Sequence, residues 1–169
     1  MAKKPIGKAK QDWATQVGRA CAASGLQLTT LRRQVLDIIA KAPAPLGAYA
    51  IIDAMSRAQD KQVAPPTVYR TLDFFLEHGF LHKIESRNVY APCEHLGHRH
   101  HGILLICQVC GRTDEVESAS LGKLVKEIAA RSGFSAQSQM VEVEGRCRIC
   151  QGVAATTDNN ALDEPIDAR

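Results

Sequence analysis

Two Cys-x-x-Cys pairs, Cys107/Cys110 and Cys147/Cys150, limit what this chain can fold into more than any other feature. Four thiolates in two tight turns make a complete tetrahedral donor set for Zn²⁺ with no open position, which is a structural rather than a catalytic arrangement. The 36 residues between Cys110 and Cys147 exceed the spacer of a compact zinc ribbon. Their pattern accounts for the length. Thr113–Glu117 reads as a strand. Ser120 caps a helix that runs through Arg131, with Leu121, Leu124, Val125 and Ile128 inward and Gly133 closing it. Residues 137–144 read as a further strand, with Val141 and Val143 in alternate phase. Together with an apolar strand over Ile103–Cys107, this makes a small α/β module whose ends the metal ties together. So small a module buries a limited fraction of its surface, and both a zinc staple and a dimer partner would help it. A redox dithiol or a zinc-release switch is the other use of such pairs.

A second cluster overlaps the first. Between Cys93 and Cys110 the chain places three of its six cysteines and four of its six histidines: His95, His98, His100 and His101. His95 and His98 read as loop residues. His82 lies on a predicted strand two residues after Phe80, and Cys93 ends the next strand, so cross-strand pairing can bring the two together. His100 and Glu115 flank the Ile103–Cys107 strand and its knuckle. A metal site drawing on His82, Cys93, His100 and Glu115 would join two domains, with His101 able to replace His100. The thiolate of Cys93 makes that set soft and favours Zn²⁺. Carboxylate and imidazole alone would suit Fe²⁺ or Mn²⁺.

The N-terminal half is helical. Asp12 caps a helix to Ser24, with Trp13, Val17, Ala20 and Cys21 on one face. A second helix follows Thr29 or Thr30, with Leu31, Val35, Ile38 and Ile39 apolar and Arg32 and Arg33 off the stripe, and Pro43 and Pro45 end it. A third runs over 47–58, with Ile51, Ile52 and Met55 inward. Pro65 and Pro66 then open a fourth helix, where missing N–H groups cost nothing. Val68, Leu72, Phe75 and Leu76 form its buried stripe. Phe80–Ser86 and Val89–Cys93 follow as a hairpin. This order is that of a winged helix-turn-helix, whose recognition helix enters the major groove of double-stranded DNA by its N-terminal turns. Tyr69 and Arg70 could reach base edges or phosphates there, and Thr67 lies at the same end.

The fold class is therefore α+β: an N-terminal winged helix-turn-helix domain followed by a small α/β dimerisation domain stapled by a four-cysteine zinc. The expected divisions are a flexible basic arm over 1–11 carrying Lys3, Lys4, Lys8 and Lys10, a DNA-binding domain over 12–86, a hinge with the last wing strand over 87–93, a dimerisation and metal-binding domain over 94–151, and a mobile acidic tail over 152–169. A net charge of +3 does not by itself prove a nucleic-acid partner, because distribution matters more than the sum. No run of about 18 apolar residues is present and no apolar segment follows the N-terminal lysines, so a cytoplasmic protein with reduced thiols and no membrane partner is expected. Neither HExxH nor HxE…PCxxC occurs. A zinc enzyme acting on a small-molecule substrate is therefore not expected, although Glu115 could serve one as a base.

The segments PPTVYRTLDFFLEHGFLHKIES (65–86), VYAPC (89–93), HHGILLICQVCG (100–111), Glu115 and CRIC (147–150) resemble the ferric uptake regulator family, nearest to its zinc-responsive branch, over residues 12–150. The resemblance implies a homodimeric, metal-dependent repressor that silences uptake genes when its metal is plentiful. It implies two Zn²⁺ per subunit, a structural one on Cys107, Cys110, Cys147 and Cys150 and a regulatory one on His82, Cys93, His100 and Glu115. It also implies DNA contacts from Tyr69 and Arg70. An iron- or manganese-sensing repressor, or a thiol-based redox sensor, is the alternative within the same family. The crowding of histidines from His95 to His101 leaves room for an additional metal site.

Overall fold

The computed structural model describes residues 6–93, 96, 101–136 and 139–152. The chain divides into two compact units, Met1–His100 and His101–Arg169.

The first unit is built on four helices. Helix α1 spans Ile6–Ala23. It begins upstream of Asp12, in the segment expected to be a flexible arm, because the lysines, alanine and glutamine there are good helix formers. Residues 1–5 of that arm lie outside the described residues. Helix α2, Thr30–Lys41, is capped by Thr29, whose hydroxyl accepts the Arg32 N–H at 3.3 Å. It ends at Ala42, ahead of Pro43, where the residue before a proline is driven out of the α region. Helix α3, Ala48–Gln59, stops at Asp60, which takes a left-handed conformation at φ 47°. Helix α4, Pro65–Glu77, carries its two prolines at its first positions, and Gly79 turns the chain at φ 66°.

Three strands complete this unit. β1, Leu46–Gly47, pairs with β3, Val89–Pro92, and β3 pairs antiparallel with β2, Leu81–Ile84. The hairpin between β2 and β3 turns at Asn88, with φ 50°. β1 was not legible in the sequence, since two residues carry no periodicity. β3 is bonded on both sides within the first unit, to β1 and to β2. One core cluster fills the unit. Trp13, Val17, Cys21, Val35, Ile39, Ile51, Met55, Val68, Leu72 and Phe75 are all buried in it. Cys21 is a small core residue, and burial pushes its thiol up from the ordinary value.

The second unit holds a three-stranded sheet ordered β5-β4-β6. β4, His101–Cys107, pairs antiparallel with β5, Thr113–Glu117, and parallel with β6, Gln139–Gly145. Such parallel pairing needs a crossover, which α5, Ala119–Arg131, provides between β5 and β6. Its cap is Ser118 rather than the expected Ser120. The Ser118 hydroxyl reaches the Leu121 N–H three residues on, at 3.3 Å, while Ser120 falls inside the first turn. A one-turn helix, α6 (Arg148–Gln151), follows Cys147.

Among the described residues of this unit, the buried hydrophobic side chains are Leu104, Ile106 and Cys107. Two large aliphatics contribute about 3–6 kcal/mol, while a structural zinc contributes about 10 kcal/mol or more. A zinc held by the four cysteines would therefore outweigh apolar burial in holding this unit together. The inward stripe expected on α5 is also corrected. Leu124 and Ile128 are 51% and 55% exposed within one copy of the chain, while Leu121 and Val125 are half-buried.

Candidate metal centre and DNA-facing helix

β4 runs directly into the first cysteine knuckle. The Cys107 N–H donates to the Arg112 carbonyl at 2.8 Å, and the Gly111 N–H donates to the Cys107 carbonyl at 3.0 Å. Gly111 makes the turn at φ 70°, a conformation glycine adopts without strain. β6 ends beside β4, with Cys107 opposite Gly145, so the parallel register delivers the second knuckle to the first. There the Gln108 N–H donates to the Gly145 carbonyl at 2.8 Å, and the Gln151 N–H donates to that of Cys147 at 3.0 Å.

The ligand atoms of Cys107, Cys110, Cys147 and Cys150 all lie within 4.8 Å of one another, and none of the cysteines is in a disulfide. The Sγ atoms of Cys110 and Cys147 are 3.7 Å apart. A tetrahedron with Zn–S arms of about 2.3 Å has edges of about 3.8 Å, so this spacing fits the ion. The Cys147 N–H donates to Cys107 Sγ at 3.3 Å. That bond, followed by one from the Cys110 N–H, holds the Cys107 thiol down to about 6. Cys150 is pushed up to about 12, chiefly by hydrogen bonding to the Cys147 side chain and then by burial. The four sulfurs thus hold negative charge at Cys107 and a proton at Cys150, and a cation that replaced the proton would be held by all four.

Within the first unit, the wing strands place His82 and Cys93 side by side. His82 lies opposite Ala91 in the register, and the Cys93 N–H donates to the Phe80 carbonyl at 3.1 Å. The two are therefore diagonal neighbours on one sheet face, with a ring nitrogen and Sγ within 4.8 Å. His82 is 7% exposed and Cys93 is fully buried. An imidazole and a thiol taken together out of water are a borderline-soft donor pair, chemistry that suits Zn²⁺. In the second unit Glu115 sits on β5 directly opposite Leu104 and is half-buried. His100 lies outside the described residues, as do His95 and His98. His101 opens β4.

Helix α4 presents a polar end. Pro65, Pro66, Thr67 and Arg70 are exposed, and Tyr69 is half-buried against the core. Pro65 and Pro66 carry no N–H and the Thr67 N–H donates to the Ala64 carbonyl at 3.0 Å, so it is the positive helix end and the Arg70 side chain that favour phosphate at this position. The far end of α4 is fixed by a column of rings. The Arg32 guanidinium lies 3.4 Å from the Phe74 ring centroid, Phe74 lies 4.4 Å from the His78 ring, and His78 stacks on Phe80 at 6.1 Å. His78 is bonded to the Phe74 carbonyl at 2.8 Å through Nδ1. This role for Arg32 is absent from the helical periodicity, which shows only that the residue lies off the apolar stripe. It depends on how α2 crosses α4. No helix among the described residues is long and apolar enough to cross a membrane.

Comparison with known proteins agrees with this architecture. The Ferric uptake regulator family matches residues 23–144. The zinc uptake regulation protein of Escherichia coli (strain K12) is 35% identical over 147 residues, covering 86% of this chain and 85% of its own length. A zinc uptake regulator complexed with zinc and DNA superposes with a TM-score of 0.76 at 33% identity, covering 85% of this chain and 95% of that one. The crystal structure of holo XcZur gives 0.75 at 38% identity, covering 84% and 99%. With a winged helical unit, a cysteine-stapled α/β unit and a match across most of its length, the chain belongs to the ferric uptake regulator family.

Proposed function

We propose that this chain is a zinc-responsive, DNA-binding transcriptional repressor of zinc uptake genes that acts as a homodimer in the cytoplasm, and that it binds two Zn²⁺ per subunit. The observation that carries the reading is the buried His82–Cys93 pair on the wing, which puts soft metal ligands inside the DNA-binding unit. Its likeness to proteins named for zinc uptake regulation, one of them held with zinc and DNA, supports the same reading.

In this proposal Cys107, Cys110, Cys147 and Cys150 hold a structural ion, and their spacing supports that role. His82, Cys93 and His100 of the first unit, with Glu115 of the second, hold the regulatory one. Bound zinc supplies a divalent charge and tetrahedral bonds that no protein–protein contact replaces. The chain's own residues do the rest. With ligands drawn from both units, the segment after Cys93 is fixed, and the winged units of the dimer keep the spacing that sets both recognition helices in successive major grooves. Thr67, Tyr69 and Arg70 then meet the DNA. Neutralising the charges of Cys93 and Glu115 also lessens repulsion of phosphate. Moving a population from mostly open to mostly closed takes about 5.5 kcal/mol of differential affinity, within reach of a site of this ligand number. The role is regulatory rather than catalytic, because four protein ligands leave no open position for a substrate.

Operator binding measured at buffered free zinc tests the assignment. Cys93→Ser is expected to need at least about tenfold more free zinc for half-maximal binding, with its four-cysteine zinc retained. Full binding by Cys93→Ser at the wild-type zinc level would remove Cys93 from the sensor. Stronger operator binding with Fe²⁺ or Mn²⁺ than with Zn²⁺, at matched free metal, would favour the iron- or manganese-sensing alternative.

A further inference from the structure

A glycine interrupts β4, the strand that pairs with the one bearing Glu115 and runs into the first cysteine knuckle. Gly102 is buried within β4, where glycine weakens a strand for want of a side chain to pack. Its backbone does not require glycine, since Gly102 is not among the residues with positive φ. Nor does a backbone clash require it. A Cβ there would lie 3.4 Å from the Val116 carbonyl oxygen, at ordinary contact. The next two nearest atoms belong to Glu115, with Oε1 at 3.7 Å and Cγ at 3.8 Å.

The register explains the encounter. Glu115 faces Leu104 across the β4–β5 pair, so Gly102 is its diagonal neighbour on the same face. Leu104 is 2% exposed and has no polar atom to offer. A methyl at 102 would already touch Glu115 and the Val116 carbonyl, and a longer side chain would take up more of the volume that Glu115 fills.

We infer that Gly102 is a positioning residue for the sensing carboxylate: by carrying no side chain it leaves open the space in which Glu115 holds its ligand oxygen. The inference rests on the reading of Glu115 as a ligand of the regulatory metal. It makes position 102 a determinant of how tightly that site binds, although Gly102 has no ligand atom of its own. Groups that orient a metal ligand typically change affinity by about 10–100-fold when altered.

The test compares full-length wild type with Gly102→Ala, Gly102→Val and Glu115→Gln. Zinc affinity of the second site is measured by chelator competition, zinc retained on the four cysteines by elemental analysis, and thermal unfolding with only that zinc bound. Cobalt substitution reports the ligand set by its absorption bands. Gly102→Val is expected to weaken the second site by about tenfold, with altered cobalt d–d bands, the cysteine-to-cobalt band kept and the four-cysteine zinc retained. Gly102→Ala is expected to weaken it less, in the same direction. Wild-type affinity in Gly102→Val, with or without a lower melting temperature, overturns the inference and leaves glycine a packing role. If Gly102→Val does not fold, Gly102→Ala decides, and unchanged affinity and unchanged cobalt bands in it overturn the inference. Wild-type affinity in Glu115→Gln removes the ligand assignment itself. Weakening by Glu115→Gln without any by the Gly102 variants keeps that assignment and rejects only the positioning role.

Discussion

Cys107 and Cys150 show how one motif yields two chemically different thiols. Both belong to knuckles of identical spacing, yet backbone N–H groups, that of Cys147 first, hold Cys107 down to about 6, while hydrogen bonding within the cluster pushes Cys150 up to about 12. The ordinary thiol value is 9.0. For Cys107 the folded value is depressed, so its contribution to the metal-free fold is complete above pH 9.0 and is lost as pH falls through about 6. For Cys150 the folded value is raised, so its contribution is present below 9.0 and is lost as pH rises toward 12. Thiolate absorbance near 240 nm is therefore expected to rise in separated steps in chelator-stripped protein that keeps its native far-UV circular dichroism, with the step near pH 6 missing in Cys107→Ser. A single step near 9.0, unchanged by that substitution, would contradict this arrangement. The grouping of these four cysteines was legible in the sequence, because a Cys-x-x-Cys turn is local and needs no knowledge of the fold. The unequal chemistry was not, since it comes from the Cys147 N–H crossing to the other knuckle.

At the scale of elements, α4 and α5 teach opposite lessons. α4 declared itself. Two prolines opened it, Val68, Leu72 and Phe75 lined its buried face, and Gly79 closed it. His82 and Cys93 were legible for a related reason, since a two-residue alternation fixes diagonal neighbours once a hairpin is recognised. α5 shows an apolar stripe of the same kind, but Leu124 and Ile128 are exposed, as are Phe134, Leu105 and Val143 of the same unit. Periodicity reports that a face seeks cover and is silent on whether the cover comes from the same chain. In the proposed homodimer a second copy would supply it. Ile128→Glu is expected to weaken self-association by at least roughly a hundredfold, because burying an unpaired charge costs several kcal/mol. Sedimentation at micromolar concentration checks this: monomers with the four-cysteine zinc intact are expected, and an unchanged dimer would place the interface elsewhere. β1 escaped sequence reading because Leu46–Gly47 has no pattern of its own and is a strand only through its pairing with Tyr90 and Val89.

The whole molecule separates two duties that the sequence runs together between Cys93 and Cys110. Cys107 and Cys110 belong with Cys147 and Cys150 and hold together a unit with little apolar core. Cys93 belongs with His82 on the wing of the other unit, where a bound metal would bear on DNA binding in the proposed function. The division of the histidine-rich stretch was legible in the sequence, from the Cys-x-x-Cys spacing and from hairpin alternation; the parallel register of β4 on β6, which brings the two knuckles together, was not. The central claim is that the second zinc, and not the first, turns on DNA binding. Its most direct test is a zinc titration of protein carrying only the four-cysteine ion, with operator binding by fluorescence anisotropy and bound zinc counted in the same samples. The account predicts negligible specific binding at one zinc per subunit and saturation as the second is taken up. Full operator binding at one zinc per subunit, or none at two, would contradict it.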